Sequence, residues 1–173
     1  MDDNFDEILK LDNQVCFPLY AATRLVVQAY RPLLGELGLT YPQYLVMLVL
    51  WETDGASVGQ IGEVLYLDSG TLTPLLKRLE KQALVSRRRR VEDDRTVENW
   101  LSDKGKALRE KAAGIPTELI CSANLSVDHL TELKANLECL LDKLLLFHEL
   151  KPAPEEANRR AAAPEGAASV RTG

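Results

Sequence analysis

The side chains of this sequence best suited to covalent chemistry are three thiols, Cys16, Cys121 and Cys139. The thiolate is the reactive form, and a helix start favours it through unpaired N–H groups and the positive end of the helix dipole. Cys16 occupies such a place, at or just before the N-terminus of the helical run from Phe17, which Pro18 opens and Pro32 disturbs. Pattern alone leaves a second reading, a packed and inert core residue. Three scattered cysteines are too few for a disulfide scaffold or a zinc site. In a reducing compartment they are buried thiols or redox-active ones. His129 and His148 stand alone on helical stretches and no Ser/His/Asp or metal-ligand cluster is present, so no enzyme active site, metal or cofactor is expected.

The second kind of chemistry is electrostatic. The chain carries a formal net charge of -5, yet between Pro74 and Arg95 eight Lys or Arg stand against four Asp or Glu. An acidic protein with one concentrated basic element presents it to a polyanion, and double-stranded DNA is the leading candidate. The elements around it fit that partner. Asp68 is placed to cap a helix, with Leu67 packing on Leu72. Leu72, Leu75, Leu76, Leu79 and Ala83 form its apolar stripe. Its polar side carries Ser69, Thr71, Thr73, Lys77, Arg78 and Lys81, and Pro74 is expected inside it as a possible kink.

After Leu84, β-type residues flank a charged centre, which predicts two short strands joined by a turn near Glu92 to Asp94. Arg87, Arg88, Arg89 and Arg90 lie on the outgoing strand and Arg95 at the tip. A helix followed by a basic hairpin is the plan of a winged helix-turn-helix. In it the helix enters the major groove and the wing reaches phosphates or the minor groove. Upstream, the capping-box pairs Thr40/Gln43 and Ser57/Gln60 start two further helices, the first apolar nearly all round and therefore central.

Downstream, Ser102 opens a helix that Gly114 and Pro116 interrupt before the stretch bearing Cys121. From Ser126 a long helix repeats Leu130, Leu133, Leu137, Leu140, Leu144 and Phe147 at steps of three and four. That seam, with the Phe17 helix, predicts a dimer interface; an intramolecular bundle seam is the alternative. The fold expected is thus mainly α, a winged helix-turn-helix DNA-binding domain with N- and C-terminal dimerisation helices over residues 1–150. Residues 151–173, rich in Ala, Pro, Glu and Gly, are expected to be a disordered tail. With 46% apolar and 27% charged residues, no run long enough for a membrane span and no secretory signal, a soluble cytoplasmic protein is expected.

Four stretches are specific: LDNQVCFPLYAATR at 11–24, LTYPQYLVMLVLW at 39–51, LYLDSGTLTPLLKRLE at 65–80, and the wing with Asp93, Asp94 and Arg95 at its tip. They resemble the OhrR-type organic hydroperoxide sensors within the MarR family of winged-helix repressors, over roughly residues 5–148. The resemblance implies a dimer with recognition helices in successive major grooves. It implies that Cys16 is the peroxide-reactive thiol, with Tyr30 and Tyr41 hydrogen-bonding it, and that Asp93 and Arg95 are DNA-binding residues of the wing motif, Arg95 the one that inserts into the groove. In the two-cysteine branch the resolving cysteine follows the wing, where Cys121 matches; Cys139 falls outside the motif and is expected to be buried. The function implied is a repressor that organic hydroperoxides release from its operator, derepressing a peroxide-resistance gene. Two alternatives stand beside it: a MarR-type repressor released by a small aromatic ligand with Cys16 inert, and a thiol peroxidase, which would leave the basic region without a purpose.

Overall fold

The computed structural model describes residues 3–90 and 96–147. The elements run α1 (Asp3–Ile8), a 3-10 turn at Leu11–Asn13, α2 (Cys16–Glu36), α3 (Tyr41–Glu52), α4 (Val58–Leu65) and α5 (Ser69–Lys81). They continue with β1 (Val85–Arg89), β2 (Val97–Leu101), α6 (Asp103–Ala112), α7 (Ile115–Ser122) and α8 (Val127–Phe147). The mainly α winged helix-turn-helix is therefore present, and the tail from 151, the predicted turn at Glu92 to Asp94, Asp93, Arg95 and His148 lie outside the described residues.

Local chemistry explains most boundaries. Both capping boxes form: the Thr40 N–H donates to Gln43 Oε1 at 2.9 Å, and the Ser57 N–H to Gln60 Oε1 at 2.8 Å. At α5 the Thr71 N–H and hydroxyl each donate to the Asp68 carboxylate at 2.9 Å. These bonds, the backbone one foremost, hold the Asp68 pKa below its usual value. Pro74 sits within α5, which continues through it despite the missing N–H. Ala83, expected on the apolar stripe, instead follows the helix, exposed and left-handed at φ 57°. The helix has already ended, and the chain turns there so that the Leu84 N–H can bond Leu79 O at 3.0 Å.

The core surrounds α3, whose Val46, Met47 and Leu50 are wholly inaccessible, with Ile61 of α4 and Leu72, Leu76 and Leu79 of α5 packed against them. The wing is an antiparallel pair running from Val85 opposite Leu101 to Arg89 opposite Val97. Its root is tied to the turn after α3. Buried Asn99 donates its backbone N–H and its Nδ2 to Ala56 O at 3.0 and 2.9 Å, and the Gly55 N–H returns a bond to Asn99 O at 3.0 Å. Trp51 Nε1 donates to Gly105 O at 2.9 Å, pinning α6 beside α3.

One face remains open. Of the residues of α8 only Leu145 is buried; Leu133, Leu137, Leu140, Leu144 and Phe147 of the predicted seam are exposed, as are Leu25 and Val26 of α2. The chain's own described residues do not cover the seam, so it is not an intramolecular bundle core. Cys139, expected to be buried, is exposed for the same reason: α8 stands largely off its own domain.

Two measurements test this packing. A Cβ at Gly105 would lie 2.1 Å from Leu84 O, whereas one at Gly114 meets nothing within 4 Å. Gly105→Ala should therefore cost about 1–3 kcal/mol in urea unfolding and Gly114→Ala far less; equal midpoints would refute the close approach. Because the Asp68 pKa is depressed, the stability its charge contributes is fully present above the usual aspartate range and is lost as pH falls through the lowered folded value. Asp68→Asn keeps a capping oxygen without titrating. Its stability deficit should hold at neutral pH and close in acid; a constant deficit would deny the cap its charge.

Candidate DNA-binding surface and thiol sites

The helix-turn-helix is α4 and α5, joined by a turn at Tyr66 to Asp68. Gly62 makes it possible, since a Cβ there would stand 2.6 Å from Leu67 O. On α5 the apolar side is buried while Ser69, Thr71, Lys77, Arg78 and Lys81 are exposed. The predicted polar face thus exists, with two of its hydroxyls already engaged. Thr71 serves the Asp68 cap, and Thr73, half-buried, donates to Ser69 O at 2.7 Å. Neither hydroxyl proton is available to a base while those bonds stand; each oxygen retains its lone pairs.

The four wing arginines, one basic run in sequence, meet different surroundings in the fold: alternation puts Arg87 and Arg89 on one side of β1 and Arg88 on the other, and of these Arg87, nearest the start of the strand, lies against α5. Arg87 turns back toward α5, its side chain only 19% exposed and Nη1 4.0 Å from Glu80 Oε2. Arg88 and Arg89 are exposed on β1. Arg90 lies just past β1, where its N–H donates to Thr96 O and its Nε to Glu98 Oε1 at 2.7 Å. That bond, with the one from Trp100 Nε1, keeps the Glu98 pKa below its usual value. Sequence reasoning gave all four equal standing; their facing follows from a register that basic residues alone do not reveal.

Cys16 is the first residue of α2 and is exposed, not packed in the core. Cys121, on α7, is likewise an exposed free thiol, and α7 packs against α2. Tyr30 and Tyr41 meet each other, their ring centroids 4.9 Å apart, with Tyr44 at 6.0 and 6.4 Å from them. Burial, then the neighbouring tyrosines, raises the pKa of Tyr30, and burial and Tyr41 raise that of Tyr44, so these phenols stay protonated donors. Yet Tyr30 is fourteen residues beyond Cys16 on the same continuous helix. At 1.5 Å per residue that is about 21 Å, too far for a hydrogen bond within one chain. Tyr44, which sequence reasoning did not single out, completes the stack and joins it edge-on to Trp51 at 6.3 Å. Among the described residues no group of three or more His, Cys, Asp or Glu gathers to hold a metal, and no single helix is long and apolar enough to cross a membrane.

Comparison with known proteins matches the same region. Residues 28–112 fit the family model for the transcriptional regulator SarA/Rot. The organic hydroperoxide resistance transcriptional regulator of Bacillus subtilis is 48% identical over 144 residues, spanning 83% of this chain and 97% of that protein. Reduced AbfR bound to DNA, a protein of Staphylococcus epidermidis, superposes with a TM-score of 0.67 at 38% identity, over 81% of this chain and 98% of that one. Disulfide-formed AbfR superposes with a TM-score of 0.55 at 37% identity, over 86% and 99% of the two chains. A relative of 48% identity matched over nearly its whole length shares more than the fold, and the chain belongs to the MarR family of winged-helix transcriptional regulators, on its OhrR-type branch.

Proposed function

We propose that this regulator is a homodimeric repressor that holds operator DNA in its reduced state and releases it when an organic hydroperoxide oxidises Cys16, derepressing a peroxide-resistance gene. The observation that carries this reading is the exposure of Cys16 at the first residue of α2, beside an apolar surface that the chain's own core leaves uncovered. Its likeness to a regulator of organic hydroperoxide resistance supports the choice of signal. The exposed seam of α8 and the open face of α2 call for a second copy, because so much apolar surface stays solvated in a single chain. Residues 1–150 form this regulatory unit, with residues 151–173 as a tail outside it.

The redox step runs in two stages. The Cys16 thiolate attacks the peroxide's outer oxygen, the O–O bond breaks, and after protonation the products are a sulfenic acid and an alcohol. The sulfenic acid then condenses with the Cys121 thiol of the partner subunit, forming a disulfide and releasing water. Tyr30 and Tyr41, out of reach of Cys16 in their own chain, would meet it from the partner subunit and donate to the thiolate. A new covalent tie beside the dimer interface shifts the spacing of the two recognition helices. Since both half-sites must be met at once, a small shift costs most of the affinity. AbfR has been captured both reduced on DNA and disulfide-formed, and this chain's conformation is nearer the former.

DNA contact falls to Ser69, Thr71, Thr73, Lys77 and Arg78 on the recognition helix, to Arg88 and Arg89 on the wing, and to Asp93 and Arg95 at its tip. Arg87 and Arg90 shape the wing through Glu80 and Glu98.

Operator duplex selected by the reduced protein from a random-sequence pool provides the probe. One equivalent of cumene hydroperoxide should release wild type from it and produce a covalent dimer on a non-reducing gel. Cys16→Ser should stay bound, and Cys121→Ser should form no cross-link. Release of all three alike, or of none, would end the two-cysteine reading. The wing division has its own test. Replacing both Arg88 and Arg89 by Ala should reduce the slope of log affinity against log salt by about 2, whereas Arg87→Ala should leave the slope unchanged and lower stability instead. Equal slopes for the two variants would contradict the facing of these side chains.

A further inference from the structure

Tyr66 is the one bulky residue among the described residues held in the left-handed region, at φ 54° and ψ 40°. The other positive-φ positions are occupied by Gly38, Gly55, Ala83 and Asn124, which are small or tolerate that conformation. The turn forces the conformation: the Tyr66 and Leu67 N–H groups both bond Gly62 O, closing α4. Glycine would satisfy that geometry without strain, as it does at most such helix ends. Packing does not account for the tyrosine either. The residue is 45% exposed, and among the described residues no aromatic ring stacks on it and its hydroxyl has no hydrogen-bond partner.

A strained position filled by a large, unengaged, hydroxyl-bearing side chain points to a contact outside the chain. Its place in the fold names the partner. Tyr66 is two residues before Asp68, the cap of the recognition helix. In helix-turn-helix docking the N-terminal end of that helix enters the groove while the preceding helix crosses the sugar-phosphate backbone. The turn between them therefore lies at the wall of the groove.

We infer that Tyr66 donates its hydroxyl to a backbone phosphate at the edge of the major groove, fixing how far the recognition helix enters. This rests on the DNA-binding reading above. The contact is neutral on the protein side, so it displaces no counterion, and it touches no base, so it carries no sequence information.

The test measures binding of the reduced protein to the selected operator duplex and to an unrelated duplex of equal length, across a salt series, together with urea unfolding. Tyr66→Phe should bind both duplexes about tenfold more weakly, the scale of one hydrogen bond to a charged group, with an unchanged salt slope. Tyr66→Gly should bind at least as weakly as Tyr66→Phe while unfolding at an equal or higher urea concentration, since the left-handed strain is gone. Wild-type affinity in Tyr66→Phe would overturn the hydroxyl contact, and a loss confined to the operator would make it a base contact instead. A Tyr66→Gly protein that loses stability along with affinity would make the residue a part of the fold. Lys77→Ala, run alongside, separates the premises: if wild type selects no duplex, or Lys77→Ala binds as wild type does, the DNA-binding reading itself fails. If Lys77→Ala loses affinity and neither Tyr66 variant does, only this inference falls.

Discussion

Burial of α3 is the interaction on which the rest of this structure depends. A twelve-residue helix with Val46, Met47 and Leu50 wholly out of solvent has to be enclosed around most of its girth, and α2, α4, α5, α6 and β2 are the enclosure, with Leu48 left on the open side. The two ends of this strut do different things. Its first turns carry Tyr41 and Tyr44, stacked on Tyr30 of α2, and the turn at its far end hydrogen-bonds the wing through Asn99. The thiol-bearing helix and the basic hairpin are therefore attached to opposite ends of one packed element. Because close-packed interiors do not deform continuously, a displacement of α2 must either open the tyrosine stack or carry α3 and the wing root with it. Under the proposed switch, that coupling is how oxidation at one surface would be felt at another.

The charge on the face formed by the recognition helix and the wing is organised by carboxylates as much as by arginines. Asp68, held ionised by the N–H and hydroxyl of Thr71, sets the angle at which the recognition helix begins. Glu98 fastens Arg90, and Glu80 faces Arg87. Each removes one charge from the local positive excess and yields a defined position for a cation or a helix end in return. Against a polyanion such an arrangement favours placement over raw attraction, since unplaced cations bind any duplex alike.

The uncovered face tells a complementary story about stability. The core around α3 is complete within one chain, whereas α8 and the outer side of α2 leave large leucines and aromatic rings in water. The winged domain thus has its own folding energy, and the remaining apolar surface is the reserve from which association would draw. The exposed thiols Cys16, Cys121 and Cys139 lie on the helices that frame this face or pack beside it, so their environment is set by whatever covers it.

Much of the fold was legible in the sequence because its punctuation is local. Thr40/Gln43, Ser57/Gln60, Asp68 and Ser102 cap helices where their spacing says they should, and the all-apolar run of α3 could only be central. The helix-turn-helix and the basic wing followed from such short-range signals, and the family from the resemblance of four short stretches. What they left undecided is which way a side chain faces when two elements meet. Only tertiary packing turned Arg87 inward toward Glu80 while Arg88 stayed outward, and exposed Cys139 on a helix that stands off its domain. Caps and periodicities depend on neighbours within four residues along the chain. Facing and reach depend on residues tens of positions away, and their contacts exist only once the chain has folded.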